Sequence, residues 1–372
     1  MTPIRTRRLV YLGWHGFQNF GDDLLHASWQ AALDADLTVS APLSRRDYVE
    51  RAPQFIRDRL GMLGAERLVL LGGGTTIGFG NWAGHTRLAA KAFGASGVLV
   101  PGAGAAEAVD AFAVGLQPQD WAAWAEQRDI ALFGVRGPLT VRECELGWRP
   151  TGVLGDPALV YPALVDLSGI SSDPATLGVC IGADPASRFD VDVIAEAVRE
   201  HVRSHAIAAV HVFALSPGDV AQAEALAARI GGVADVVAYT GDVEATMRDI
   251  ASCGLFVSER LHGAVAAVSL GVPTVPLSYA SKCDDFWLSV AGARADITVG
   301  HTADELVSAM GAALMPERRA LVNGNLERLQ ERLLAAAARI NAWLVGSAPT
   351  AALLETTSAS IDSDIAARTP GR

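Results

Sequence analysis

"GLFVSERLHGAVAAVSLGVP", Gly254 to Pro273, holds the fold in miniature. Leu255 to Ser258 is a short β-rich apolar run, "ERLHG" is its exit, and "AVAAVSLG" is a helix that Gly271 ends and Pro273 keeps from continuing. A strand followed at once by a buried small-residue helix is one half of a β-α-β unit. The polar side chains Glu259, Arg260 and His262 stand at the junction, where a core needs none of them. A strand end that opens a helix offers unpaired N–H groups and the positive end of a helix dipole, and an arginine adds a two-pronged grip for carboxylate or phosphate. A bound anion is the simplest reading, against the bland one in which Arg260 pairs with Glu259 and His262 is a satisfied loop histidine.

The same alternation runs outward in both directions. "RLVYLGW", "RLVLLGGG", "GVLVPGAG" and "IALFGVR" read as strands in the first half, with "DDLLHASWQAAL", "YVERAPQFIRDRLGML" and "TRLAAKAFGA" as helices between them. After the Gly, Ser, Pro and Asp cluster "DLSGISSDPAT", the pattern restarts with "TLGVCIG", "IAAVHVFAL", "ADVVAYT", "GLFVS", "VPTVPLS" and "ADITVG" as strands. The helices "DVIAEAVREHVRSH" and "DVAQAEALAARI" fall among them. The chain of 372 residues exceeds the about 250–300 at which one core stops growing. The fold class is therefore α/β: two Rossmann-like domains with parallel sheets facing across a cleft, and ligands at the carboxyl ends of the strands. The expected division is an N-terminal domain over 1–165, a linker over 166–176, a C-terminal domain over 177–345 and a mobile tail over 346–372. A long terminal helix over 316–345 presents Leu321, Leu326, Leu329, Leu333 and Leu334 as its apolar stripe.

Composition removes several classes of function. With 30 basic and 41 acidic residues the net charge is -11, so no global field draws the chain to nucleic acid. The four cysteines lie far apart without a C-x-x-C pair, which argues against a zinc knuckle or a disulfide framework and for a reducing cytoplasm. The N-terminal apolar run is too short for a signal peptide, and no stretch approaches a membrane span. Asp284 and Asp285 are adjacent and read as helix-start or solvated acids, so no metal is expected.

Other strand exits carry candidates. "GFQNFGDDLL" sits where a Rossmann phosphate loop would stand but lacks G-x-G-x-x-G; Gln18, Asn19, Asp22 and Asp23 suit sugar hydroxyls, with helix capping by Asn19 or Asp22 as the bland alternative. "LLGGGTT" ends a strand in glycines, among them Gly73 and Gly74, that permit close backbone approach. "FGVRGPLT" puts Arg136 at a strand end with Pro138 in the first turn of the next helix. "SYASKCDDFW" projects Tyr279 and Lys282 onto the same edge as Arg260, and Asp156 in "GVLGDPALVYP" reads as structural.

In that order along the chain, "GFQNFGDD", "LLGGG", "FGVRGPLT", "LGDPALVYP", "SERLHG" and "LGVPTVPLSYASKCDDF" resemble the polysaccharide pyruvyl transferase family. The specific pieces are R-L-H ahead of a helix, then G-x-P and Y-x-x-K-x-x-x-F; the N-terminal element resembles G-x-x-N-x-G-D-E with Asp23 in place of Glu. The resemblance implies a GT-B-like fold and transfer of a pyruvyl group from phosphoenolpyruvate to a sugar, glycoside or lipid-linked glycan as a ketal, with no further cofactor. It implies a donor site of Arg136, Arg260, Leu261, His262 and Lys282. Asn19, Gly21, Asp22, Asp23, Gly73 and Gly74 are the residues expected at the acceptor, with His262 expected as general acid and Asp22 or Asp23 as the candidate base. A lipid-linked acceptor would place the enzyme at the inner membrane surface. Two other functions compete. One is a nucleotide-sugar glycosyltransferase of the GT-B fold, whose retaining members resemble one another in two glutamates near the donor helix, whereas Ala264 to Gly271 holds no acid. The other is a carbohydrate or phosphosugar binding protein without turnover.

Overall fold

The structure is a computed structural model that describes residues 6–108, 110, 119–183 and 189–368. It divides into two compact units, one of Met1–Trp14, Leu25–Val160 and Leu329–Arg372, the other of His15–Leu24 and Tyr161–Arg328.

The first unit carries a parallel sheet of strands β1 (Arg7–Leu12), β2 (Glu66–Leu71), β3 (Val98–Pro101) and β4 (Ile130–Gly134), in that order. Leu9 to Leu12, Leu68 to Leu71 and Val98 to Val100 are all buried, as continuous apolar runs must be when helices cover both faces of a sheet. Leu9 pairs with Leu68 and Val69 with Val98, and the core gathers Val10, Val69, Val100, Phe93 and Trp124. Helix Gly80–Phe93 ends on Gly94 in the left-handed conformation. The single helix expected over "YVERAPQFIRDRLGML" is instead two, Arg45–Glu50 and Ala52–Gly61. Pro53 is the cause: it has no N–H to return to the carbonyl one turn back. Ser44 and Asp47 close the first of the two with a capping box.

The second unit holds six parallel strands, β5 (Asp173–Cys180), β6 (Ala209–Ala214), β7 (Ala234–Ala238), β8 (Cys253–Ser258), β9 (Thr274–Ser278) and β10 (Ile297–Thr298), in the spatial order β10-β9-β8-β5-β6-β7. The chain therefore winds one way from β5 to β7 and the other way from β8 to β10, and the direction reverses between β5 and β8. That reversal is where open α/β sheets bind ligands. Its core is built from Leu177, Val179, Val210, Val212, Leu255 and Val257 under Ile194, Val198 and Leu226.

The boundaries differ from the expectation at three places. Within 166–176, β5 already begins at Asp173, and the carbonyl of Asp166 accepts a hydrogen bond from Arg248 at 2.9 Å. The long helix, Pro316–Leu344, crosses from one unit to the other at residue 329, and its Leu321 is exposed while Leu326, Leu329 and Leu333 are buried. The tail read as mobile contains helices Thr350–Leu354 and Ser358–Arg368, which bury Leu353 and Ile361. Polar contacts make up for its few apolar residues: Arg7 donates to the carbonyl of Ala348 at 2.6 Å, and Arg339 donates to Asp364 at 2.9 Å. Among the described residues no helix is long and apolar enough to cross a membrane.

Candidate active site

Arg260, Leu261 and His262 lie where the direction of winding reverses. Glu259 leaves β8 with its N–H bonded to the carbonyl of Cys180, the last residue of β5, at 2.9 Å. Arg260 is the N-cap of helix Leu261–Ser269, so His262 occupies its second position. Gly263 follows because the Ser258 hydroxyl, which donates to the Arg260 carbonyl at 2.8 Å, fills the space of a side chain there: a Cβ would come within 2.4 Å of it. Leu261 turns into the core at 8% exposure, so what it offers a ligand is backbone.

The acid that holds Arg260 is Asp219, not Glu259. Nε of Arg260 donates to Asp219 Oδ2 at 2.9 Å and Nη2 donates to Asp219 Oδ1, with Ser216 Oγ accepting a further bond at 3.3 Å. Asp219 is fully buried and also accepts the N–H of Ala183 at 3.0 Å, while Glu259 Oε2 accepts the N–H of Gly182 at 2.9 Å. Gly182 permits this approach, since a Cβ on it would stand 2.8 Å from Arg260 Nε. Burial by itself lowers the pKa of Arg260, but the Asp219 carboxylate outweighs it and holds the guanidinium above its ordinary range. The two-pronged face expected to grip a donor is thus committed to Asp219, and the Nη1 edge is what remains for a ligand. Asp219 escaped the sequence reading because an acid directly ahead of helix Val220–Ile230 looks like a cap; its side chain makes no cap bond.

The segment His15–Leu24, a loop and the first turn of the next helix, belongs to this unit and lies against the same place. Phe20 N–H donates to the carbonyl of Leu215 at 3.0 Å, beyond the end of β6. Asn19 caps helix Phe20–Ala32: its Oδ1 accepts from Gly21 N–H at 3.1 Å and its carbonyl from Asp23 N–H at 3.0 Å. Gly21 presses on the catalytic candidate, for a Cβ there would fall 2.3 Å from His262 Nδ1. Asp23 is a fastener: Oδ1 accepts the N–H of Gly16 at 2.6 Å and Oδ2 accepts the hydroxyl of Tyr239 at 2.8 Å. Tyr239, just past β7, also meets the ring of Phe20 edge-on at 5.5 Å. No signal in the sequence singled out Tyr239, which read only as the end of a strand.

Asp22 differs from its neighbour. Burial lifts its carboxyl from 3.8 to about 7, Asp23 beside it adds to the rise, and Lys282 and Arg260 pull it back. A carboxyl poised at neutrality can take or give a proton there. Lys282 is half-buried, with its Nζ over the Tyr279 ring at 4.9 Å from the centroid. Asp284 and Asp285 do start helix Ser281–Ala291 but are buried rather than solvated, and Asp284 accepts from Arg294 at 2.8 Å and from the N–H of Ala295 at 3.1 Å.

The remaining candidates lie in the first unit. Arg136 follows β4, and Pro138 opens helix Pro138–Gly147. The guanidinium is wholly enclosed, with Nη1 donating to Thr75 Oγ1 at 3.0 Å and Gly104 so near that a Cβ would come 2.4 Å from Cζ. Gly73 and Gly74 have φ of 132° and 76°, a left-handed region in which other residues are strained. Asp156 is buried and accepts the N–H of Ala158 at 3.0 Å, a structural turn as expected.

The raised carboxyl yields an expected pH dependence. A carboxyl with a pKa near 7 in the fold and 3.8 by itself favours the folded state while protonated. Its contribution is present in acid and is lost as pH rises to about 7. Asp22→Asn is expected to unfold at a higher temperature than wild type at pH 8 and to show no such gain at pH 4. Equal differences at both pH values in a thermal melt would remove the raised carboxyl.

The chain has the architecture of a putative UDP-N-acetylglucosamine 2-epimerase from Listeria monocytogenes, at a TM-score of 0.63 and 12% identity over 93% of this chain and 98% of that one. It is similar also to UDP-N-acetylglucosamine 2-epimerase from Rickettsia bellii, at a TM-score of 0.51 and 12% identity over 91% and 98%. At such identity the likeness shows the fold alone, a GT-B-like pair of Rossmann-like units. No curated protein matches the sequence. The model of the family described as polysaccharide pyruvyl transferase matches residues 19–281, which span the loop at Asn19, Arg136, the R-L-H and the start of the helix at Ser281. The chain belongs to the polysaccharide pyruvyl transferase family.

Proposed function

We propose that the protein transfers a pyruvyl group from phosphoenolpyruvate to a sugar or glycan, closing a ketal and releasing phosphate. The observation that carries this is the convergence of Arg260, His262, Lys282 and a carboxyl poised near neutrality at the reversal point of one sheet. Such a set answers the needs of a small, multiply anionic donor that must also receive a proton.

In this reading the Nη1 edge of Arg260, Lys282 and the first N–H groups of helix Leu261–Ser269 hold the donor's phosphate and carboxylate. Phosphoenolpyruvate reacts by protonation of its methylene carbon while a sugar hydroxyl attacks the neighbouring carbon. His262 gives the proton, and Asp22 takes the one released by the hydroxyl. The carbon–oxygen bond to phosphate then breaks, phosphate leaving with the electron pair, and a second hydroxyl closes the ketal on that carbon and gives its proton to the now neutral His262, so that one donor and one diol yield one ketal and one phosphate. The donor's own negative charge favours the imidazolium beside it and so readies the acid. Asn19, whose Oδ1 is spent on the helix cap, presents its amide NH2 to the acceptor, with Gly21 as a backbone contact; for Gly73 and Gly74, in the first unit, the support is the motif alone. Asp23 is the fastener of the loop rather than the base. For Arg136 the support is the motif alone, and an unchanged donor titration in Arg136→Lys would assign it to packing.

The test is incubation of the purified protein with phosphoenolpyruvate and a panel of glycosides. A mass gain of one pyruvyl ketal with release of phosphate is expected. Release of a nucleotide from an activated sugar would make it a glycosyltransferase, and donor binding without product a binding protein.

A further inference from the structure

Helices Arg45–Glu50 and Ala52–Gly61 of the first unit are the least buried of its secondary structure, with no fully buried residue in either. One side is anchored: Phe55 meets Tyr48 at 5.1 Å and Phe93 at 5.2 Å between ring centroids, and Met62 behind them is buried. The other side presents large aliphatic side chains to solvent. Val49 is 76% exposed, Ile56 54%, Leu60 57% and Leu63 69%. Ile56 and Leu60 are four residues apart and share one helix face, and Leu63 lies in the turn that follows the helix. Isolated exposed leucines are ordinary, but four large aliphatics within fifteen residues of the chain are a patch.

Charge tells what covers the patch. Arg45, Arg46, Arg51, Arg57 and Arg59 are all exposed and interleave with it. Arg46 pairs with Glu50 at 2.6 Å and Arg57 pulls on the carboxylate of Asp58 beside it; Arg45, Arg51 and Arg59 are in no ion pair within 4.0 Å among the described residues. Of the three acids in the segment, Asp47 is spent on the capping box and Glu50 on Arg46. Five arginines against three acids here invert the sign of a chain with 30 basic and 41 acidic residues. A second copy of the chain seated face to face would set arginine against arginine. A surface that is negative outside and hydrocarbon beneath satisfies both halves of the pattern, aliphatic side chains going in and guanidinium groups staying at the headgroups.

We infer that this helix pair docks the protein on an anionic lipid bilayer surface. Resting on the proposed pyruvyl transfer, the docked position also favours a lipid-linked glycan as acceptor over a soluble sugar. Neither helix contributes to the site around Arg260, so variants here leave transfer to a soluble glycoside intact.

Co-sedimentation with vesicles tests the inference. Wild-type protein is expected to partition onto phosphatidylcholine vesicles carrying phosphatidylglycerol about tenfold more strongly than onto phosphatidylcholine alone, and less so in high salt. The double variants Ile56→Ser with Leu60→Ser, and Arg57→Glu with Arg59→Glu, are expected each to lose about tenfold in that partition. Equal partition onto both vesicles, or partition that neither variant changes, would overturn it. So would concentration-dependent dimers, seen by light scattering, that the serine variant dissolves, since the face would then belong to a second copy. Docking without transfer to any glycoside would remove the function proposed above and keep the surface; transfer without docking would do the reverse.

Discussion

His262→Ala is expected to cut turnover by about 10²–10⁴-fold, the range that a positioned acid or base contributes, while donor affinity falls far less. The argument rests on placement. At the second position of its helix the imidazole stands beside the N-cap Arg260 and is pressed by Gly21 from the segment His15–Leu24. Gly21→Ala reaches the same ring by another route, because its new methyl would need the space 2.3 Å from Nδ1. That variant is expected to lose turnover with its fold unchanged by circular dichroism. Steady-state rates with saturating donor and calorimetric donor titration separate the two effects. Wild-type turnover in His262→Ala would take the acid role from this residue; wild-type turnover in Gly21→Ala would show that the ring's position is immaterial.

The second large effect is expected at Asp219. Replacing it with alanine leaves the Arg260 guanidinium without the carboxylate that receives Nε and Nη2, and leaves the N–H of Ala183 without its acceptor. Removing one partner of a buried ion pair costs about 3–5 kcal/mol; with the Arg260 side chain 24% exposed, the low end, about 3 kcal/mol, is expected in urea unfolding. Donor affinity is expected to fall with it, because an untethered Arg260 no longer holds its Nη1 edge in one place. Asp219→Asn, which keeps an acceptor oxygen, is expected to recover part of both losses. Should Asp219→Ala bind donor as tightly as wild type, Asp219 would not position Arg260.

The strands were legible for a physical reason. A sheet covered on both faces demands uninterrupted apolar residues, so its inner strands stand out as runs such as Leu9 to Leu12 and Leu255 to Val257, while the edge strands β7 and β10 are less buried. Arg260 and His262 were legible as polar side chains at a strand exit where packing has no use for them. Asp219 and Tyr239 were not, because their importance depends on sheet order. Strand β5 lies between β6 and β8, which brings the end of β6 to Arg260, and nothing one-dimensional announces that. The split at Pro53 was visible as a proline but absorbed into a longer amphipathic pattern. The C-terminal residues misled through composition: a few apolar residues, Leu353 and Ile361, suffice when arginines of the long helix supply the other contacts.

The C-terminal stretch also has a consequence for synthesis. The strand that starts the first unit carries Arg7, whose guanidinium is met by the carbonyl of Ala348 at 2.6 Å, and Glu66 of β2 is met by the hydroxyl of Thr350. These two strands thus take contacts from residues made up to about 340 positions later, while Tyr161–Arg328 is one unbroken stretch. The later-made unit is therefore positioned to fold ahead of the one that precedes it, and a nascent chain stopped before Ala348 would leave the opening sheet unfinished.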